Sequence, residues 1–171
     1  MNGFYGECLR LEIFGQSHAE SVGMTLEGVP AGARVDFDAL LRFMQRRAPG
    51  RSEYATARRE ADVPEFTSGL RDGVTDGMPI TAIIRNTDVR PQDYDALRTV
   101  PRPGHADYSA WLRYGSIPTG GGEFSGRMTA PLCIAGGICL QLLENEGVSI
   151  RARVNEIGGA HDEKAMHDTI M

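Results

Sequence analysis

Leu9, Leu11 and Ile13 alternate with Arg10 and Glu12, and Val22, Met24 and Leu26 alternate with Gly23, Thr25 and Glu27. A period of two puts the apolar side chains of each run on one face, so both runs predict half-buried strands paired through the segment Phe14-Gly15-Gln16-Ser17-His18. His18 is thereby placed in a strand-to-strand loop. Residues 65–71 and 79–85 read as further strands, the second through Ile80, Ala82, Ile83 and Ile84, with turn signals at Asp72-Gly73 and Asp76-Gly77. Asp36 predicts the N-cap of a helix running to Arg47, with Phe37, Leu40, Leu41 and Met44 as its apolar stripe and Pro49-Gly50 as its stop. A short helix is expected from Ala106 to Tyr114, closed by Gly115, followed by a flexible loop at Thr119-Gly120-Gly121-Gly122. A long apolar helix starts near Ser125, and Gly136-Gly137 inside it implies close packing of another element. Val148, Ile150, Ala152 and Val154 alternate again and predict a last strand, before a polar tail with Met166, Ile170 and Met171.

At 171 residues and 41% hydrophobic composition, the chain suits one domain spanning 1–171 with a real core. Its 21 glycines and 9 prolines indicate a fold rich in turns, without the polar low-complexity tracts of disorder. A net charge of −5 argues against a general nucleic-acid binder and means that any anion site must be local. Cys8, Cys133 and Cys139 form no CxxC pair and no metal-ligand spacing, so they read as reduced packing residues of a cytoplasmic protein. No secretory signal is visible at the start. Met128 to Leu143 is apolar but short for a membrane span, and reads as a buried helix.

Between Arg42 and Arg59 lie six arginines, Arg42, Arg46, Arg47, Arg51, Arg58 and Arg59, with Glu53 as the acidic residue among them. Planar guanidiniums pair bidentately with carboxylate and phosphate oxygens, so this focused patch in an acidic chain suits a small polyanion. A solvated charged face explains the same run, since Lys164 is the single lysine and arginine serves almost everywhere. Imidazole is the side chain suited to proton transfer near neutral pH, which makes His18 and His105 candidates for that role. Pro103-Gly104 restrains His105, and Asp107 either orients its ring or caps the following helix. Ser17 beside His18 lacks a Gly-x-Ser-x-Gly elbow, which argues against a hydrolase. Gly120-Gly121-Gly122 before a helix start offers backbone N–H groups to phosphate, with Arg127 just beyond, but lacks the spacing of a P-loop or a dinucleotide fingerprint. His161 and His167 have no matching ligand cluster.

Taken together, Phe14-Gly15-Gln16-Ser17-His18, Arg46-Arg47-Ala48-Pro49-Gly50, Arg58-Arg59-Glu60, Ile84-Arg85-Asn86-Thr87-Asp88, Arg102-Pro103-Gly104-His105-Ala106-Asp107-Tyr108 and Gly120-Gly121-Gly122 with Ser125 and Arg127 resemble the chorismate synthase family, from about Tyr5 to Gly158. The resemblance implies a lyase of the shikimate pathway, serving aromatic amino acid biosynthesis. The implied reaction is the 1,4-elimination of phosphate from 5-enolpyruvylshikimate 3-phosphate to chorismate, with reduced FMN and without net redox change; NADPH is a possible source of reducing equivalents. It further implies His18 as general acid at the departing phosphate and His105 at the reduced flavin. Arg46, Arg47, Arg51, Ser125 and Arg127 are then implied at the substrate, and Glu123, Phe124 and Ser125 at FMN, with no metal. The implied fold is α+β: a sandwich of two antiparallel sheets around helices, assembled as a homotetramer, of which this chain holds one antiparallel sheet packed on helices.

Several positions depart from the family pattern. Gln16 and Ala19 flank the histidine where glutamate and glycine are usual, Ala48 replaces a third arginine, Glu53 stands where a basic residue is common, and Glu123 puts an acid beside the proposed anionic cofactor. Family chains are also about twice as long, which marks this chain as the N-terminal portion of such an enzyme. A remnant that keeps an anion or flavin pocket without turnover is the alternative.

Overall fold

In the computed structural model, which describes residues 6–48, 60–87 and 99–170, the two alternating runs become β1 (Arg10–Gly15) and β2 (Ser21–Glu27), paired antiparallel with Ile13 opposite Met24 and Leu11 opposite Leu26. β6 (Ile80–Arg85) lies antiparallel on the other side of β2, and β3 (Glu65–Ser68) closes a four-stranded sheet of order β1-β2-β6-β3. Opposed residues share a face. Val22, Met24 and Leu26 therefore line up with Ile84, Ala82 and Ile80, and all six are buried. The other face carries polar pairs such as Thr25 with Thr81, whose hydroxyls lie 3.2 Å apart.

The expected strand over 65–71 is cut at Gly69, where φ is +80° and a Cβ would lie 2.5 Å from the Ile80 backbone. The chain turns there into a separate hairpin, β4 (Leu70–Arg71) with β5 (Val74–Thr75). Two helices cover the buried face of the main sheet. α1 (Phe37–Arg47) starts as expected at Asp36, whose carboxylate accepts the Ala39 N–H at 2.9 Å, and it ends with Arg46 and Arg47 in its last turn. α3 (Thr129–Asn145) crosses β2 and β6 and packs along α1. Its buried residues include Ile134, Ala135, Gly137 and Ile138. The segment Gly126–Asn145 is long and apolar enough to cross a bilayer by length and composition, but its apolar side here faces α1 and the sheet. The close packing read from Gly136-Gly137 falls on the second glycine, where a Cβ would stand 2.5 Å from Leu40 Cδ1 and 3.1 Å from Phe43. Gln141 clasps the start of α1, accepting from the Asp36 N–H and donating to its carbonyl.

α2 (Asp107–Tyr114) forms where expected and ends on Gly115 in the left-handed conformation. The loop at 119–122 is a kinked turn rather than a helix, since Gly120, Gly121 and Gly122 all have positive φ, and a short 3₁₀ turn (Gly126–Met128) follows it and leads into α3. Three expectations are corrected. Residues 148–154 form no strand: their backbone is unpaired in any sheet, and Val148, Ile150 and Val154 are exposed, because alternation alone supplies no neighbouring strand. The tail instead holds α4 (Glu163–Ile170), started by Asp162, whose carboxylate accepts the Ala165 N–H at 2.9 Å. Finally, Cys8 is exposed ahead of β1 rather than packed, whereas Cys133 and Cys139 lie against the core and burial pushes both thiols up.

Candidate active site

The turn carrying His18 leaves β1 through Gly15, at φ +92°, and re-enters the sheet at Ser21. Ser17 is buried, and its N–H and hydroxyl donate to the carbonyls of Gly122 (3.3 Å) and Gly120 (3.2 Å). The glycine turn thus presents carbonyls to the His18 loop. That contact needs the positive φ of Gly120, Gly121 and Gly122, and a Cβ on Gly122 would strike Pro118 at 2.5 Å. His18 itself is half-buried.

Asn86, just past the end of β6, ties the same turn from the other side. Its amide donates to the carbonyls of Gln16 (3.0 Å) and Ala19 (2.8 Å), while its oxygen accepts from Arg127 Nε at 3.0 Å. The Arg127 side chain is only 3% exposed. Its Nη2 lies 3.1 Å from Glu60 Oε2, and its Nη1 donates to Asp62 Oδ1. Glu60 also accepts the Thr87 N–H at 2.8 Å. The other Asp62 oxygen, Oδ2, accepts from Arg47 Nη1 at 2.5 Å, and Arg47 Nε donates to Thr129 Oγ1 at 3.0 Å. One continuous chain of bonds therefore runs from the His18 turn through Asn86, Arg127 and Asp62 to Arg47. Two arginines and two carboxylates make a neutral, mostly buried quartet, and charges so far from water persist only when matched in this way.

Of the residues singled out from sequence, the structure gathers the His18 turn, Arg47, Ser125 and Arg127. Ser125 Oγ accepts the Arg127 N–H at 3.2 Å, in the turn just ahead of α3. Arg46 is exposed beside them on α1, its guanidinium 5.6 Å from the Phe43 ring centroid. Arg51, with Arg58 and Arg59, lies outside the described residues. Phe124 is partly exposed, and its ring centroid is 6.5 Å from that of Tyr114. Glu123 lines a cavity of about 280 Å³ with Gln16, Tyr114, Ser116 and Pro118. A hydrogen bond to the Glu123 carboxylate raises the Tyr114 hydroxyl above its ordinary value.

His105 is held in a clasp of its own. Arg102 grips Asp107 through Nε (2.7 Å) and Nη2 (2.9 Å), and its N–H adds a third bond to the same carboxylate. Asp107 therefore closes the loop around His105 and does not cap α2, whose N-cap is Ala106. The His105 ring sits with Nδ1 3.1 Å from the Pro103 carbonyl. A carbonyl only accepts, so this bond places a proton on Nδ1 and leaves Nε2 to exchange protons outward.

Glu60, Asp62, Asn86 and Thr129 had no role assigned from sequence. The pair Glu60 and Asp62 directly beyond the arginine run was the available signal, because acids beside clustered arginines supply their counter-charges. Asn86 stands in the family-like segment Ile84-Arg85-Asn86-Thr87-Asp88, but its bonding depends on how β6 ends against the His18 turn.

This is an α+β protein whose site joins a histidine turn to an arginine network. The sequence profile described as Chorismate synthase matches residues 9–171. Among curated relatives, chorismate synthase of Lancefieldella parvula is 49% identical over 165 residues, covering 95% of this chain and 43% of that protein. Chorismate synthase of Korarchaeum cryptofilum is 42% identical, covering 93% and 45%. A crystal structure of chorismate synthase superposes with a TM-score of 0.64 at 25% identity, over 92% of this chain and 40% of that one. The chain belongs to the chorismate synthase family, and it spans less than half the length of these relatives.

Proposed function

We propose that the chain supplies the substrate-facing half of a carbon–oxygen lyase, which eliminates phosphate from 5-enolpyruvylshikimate 3-phosphate to give chorismate in the cytoplasm. The observation that carries this reading is the bonded path from the His18 turn to Arg47. It joins the turn of the proposed proton donor to the proposed anion anchor, a juxtaposition that suits loss of a phosphate from a polyanion. Arg46 and the outward edge of Arg47 meet the substrate's carboxylates and phosphate, with Ser125 alongside and Arg127 behind them; Arg51, outside the described residues, is proposed for the same substrate. His18 gives a proton to the departing phosphate oxygen. His105, with Nδ1 facing the Pro103 carbonyl, would take up a proton at Nε2, or give one from there when protonated, beside the flavin.

The described residues fit one wall of an FMN site. Phe124 offers a partly exposed ring for a flat heterocycle, and Ser125 and Glu123 stand beside it. Glu123 also borders the cavity of about 280 Å³, a little under the ~300–1,000 Å³ of enclosed ligand sites. Reduced FMN, with NADPH as a source of its electrons, supplies electron density that eases cleavage of the carbon–oxygen bond. Assembly into a homotetramer belongs to the same proposal.

Mixing the chain anaerobically with the substrate and chemically reduced FMN, while chorismate absorbance is followed, tests this. Chorismate is expected, and His18→Ala or His105→Ala lowers the rate about 10²–10⁴-fold, the range of one general acid or base. The short coverage of its relatives favours a second reading, an anion and flavin module without turnover. Binding of both ligands by folded chain without product selects that reading.

A further inference from the structure

Asp62 is the most completely enclosed charge in the network, with its side chain 0% exposed. Its backbone lies at φ +50°, in the left-handed region that side chains other than glycine enter at a cost and that aspartate tolerates better than most. This conformation sets one carboxylate oxygen on each of two arginines.

Those arginines are not equivalent. Arg127 hydrogen-bonds to Asn86 through Nε and to Asp62 through Nη1, its Nη2 lies in ion-pair contact with Glu60 at 3.1 Å without an aligned hydrogen bond, and it has almost no exposed surface. Arg47 is 22% exposed. Its Nη1 and Nε are held by Asp62 and Thr129, but among the described residues its Nη2 reaches only the Gly126 carbonyl at 3.5 Å, the limit of a hydrogen bond. Two of its nitrogens are fixed and the third is left for a ligand.

We propose that Asp62 is a positioning residue that aims Arg47 Nη2 at the anionic substrate, and that Arg127 acts through Asp62 rather than by touching that substrate. The inference rests on the reading above that Arg47 meets an anion. Charge and placement make opposite demands here, which renders the role measurable. A carboxylate beside Arg47 weakens its pull on an anion by charge alone, so removing that charge while keeping the shape tightens binding if Asp62 only neutralises. If Asp62 positions, the same change weakens binding, because asparagine has one acceptor oxygen where two guanidiniums need one each.

The test titrates 5-enolpyruvylshikimate 3-phosphate calorimetrically into wild type, Asp62→Asn, Thr129→Val and Arg47→Ala, and records nitrogen-15 spectra of the arginine side chains. Thr129 is exposed, so its variant keeps the fold if Asp62→Asn does not. Expected are about tenfold weaker binding for Asp62→Asn and for Thr129→Val, the size of one charge-assisted hydrogen bond, and loss of the slowly exchanging Arg47 guanidinium signals in Asp62→Asn. Tighter or unchanged binding in Asp62→Asn, or an unchanged Arg47 spectrum, overturns the positioning role. If Asp62→Asn does not fold, unchanged binding in Thr129→Val overturns it. If Arg47→Ala binds as well as wild type, or wild type does not bind, the anion reading of Arg47 fails, and the spectra alone then report whether Asp62 orders the guanidinium.

Discussion

Asp107 shows how one carboxylate can define a loop. Hydrogen bonds from Arg102 hold its pKa below the ordinary 3.8, against the opposing effect of its own burial. A carboxylate depressed in the folded state stabilises the fold above its unfolded pKa, and that contribution is lost as pH falls through the folded value. Asp107→Asn is therefore expected to cost about 2 kcal/mol at neutral pH, roughly 4–8 °C in Tm for a chain of this size. In thermal melts the gap from wild type should hold from pH 7 to pH 5 and close below pH 3.8. A gap already closed at pH 5, or one that widens in acid, contradicts the account. At this scale the sequence was most legible for residues in local segments. His18 in its turn and Asp36 as a cap depend on near neighbours, whereas the choice of Asp107 between orienting His105 and capping α2 stayed open until Arg102 was seen folded back onto it. Asp62 is harder still, because its partners Arg47 and Arg127 lie 15 and 65 residues away.

Between elements, the contact of α1 with α3 separates two adjacent glycines. Gly136 would carry a Cβ into open space, while at Gly137 the same atom would press on Leu40 and Phe43. Alanine gains up to ~1 kcal/mol of helix propensity at either position. At Gly137 overpacking of about 1–3 kcal/mol outweighs it. Gly136→Ala should raise the denaturation midpoint and Gly137→Ala lower it; two shifts of the same sign would show that Leu40 and Phe43 yield freely. Most elements were readable because their signals are local and periodic: the alternation in β1, β2 and β6, the stripe of α1, the glycine closing α2. The failures have different causes. Residues 148–154 carry the pattern of a strand without a partner, and a strand exists only by pairing, so no local pattern suffices. α4 was missed although Asp162 is a good cap, because its eight residues are too short for periodicity to stand out.

For the whole molecule, the core cluster runs along one face of the sheet under α1 and α3, and apolar side chains remain outside it. Val148, Ile150 and Val154 are each 46–63% exposed, and they recur at even spacing in a segment whose backbone has no sheet partner. Trp111 and Leu112 on α2 are also exposed. Apart from the Val148 N–H, which donates to the Leu143 carbonyl at 2.9 Å, the segment 148–154 makes no strand pairing among the described residues, and an apolar segment so placed is a template for an added strand. Self-association is therefore expected at micromolar concentration, and sedimentation velocity should show the mean mass rising with loading. Replacing Val148, Ile150 and Val154 together by serine removes the apolar edge while leaving the buried core intact, so it should return the chain to monomer with an unchanged melt. A wild-type chain that sediments as a monomer across that range, or a triple variant that associates as strongly, would place the exposed row outside any assembly contact.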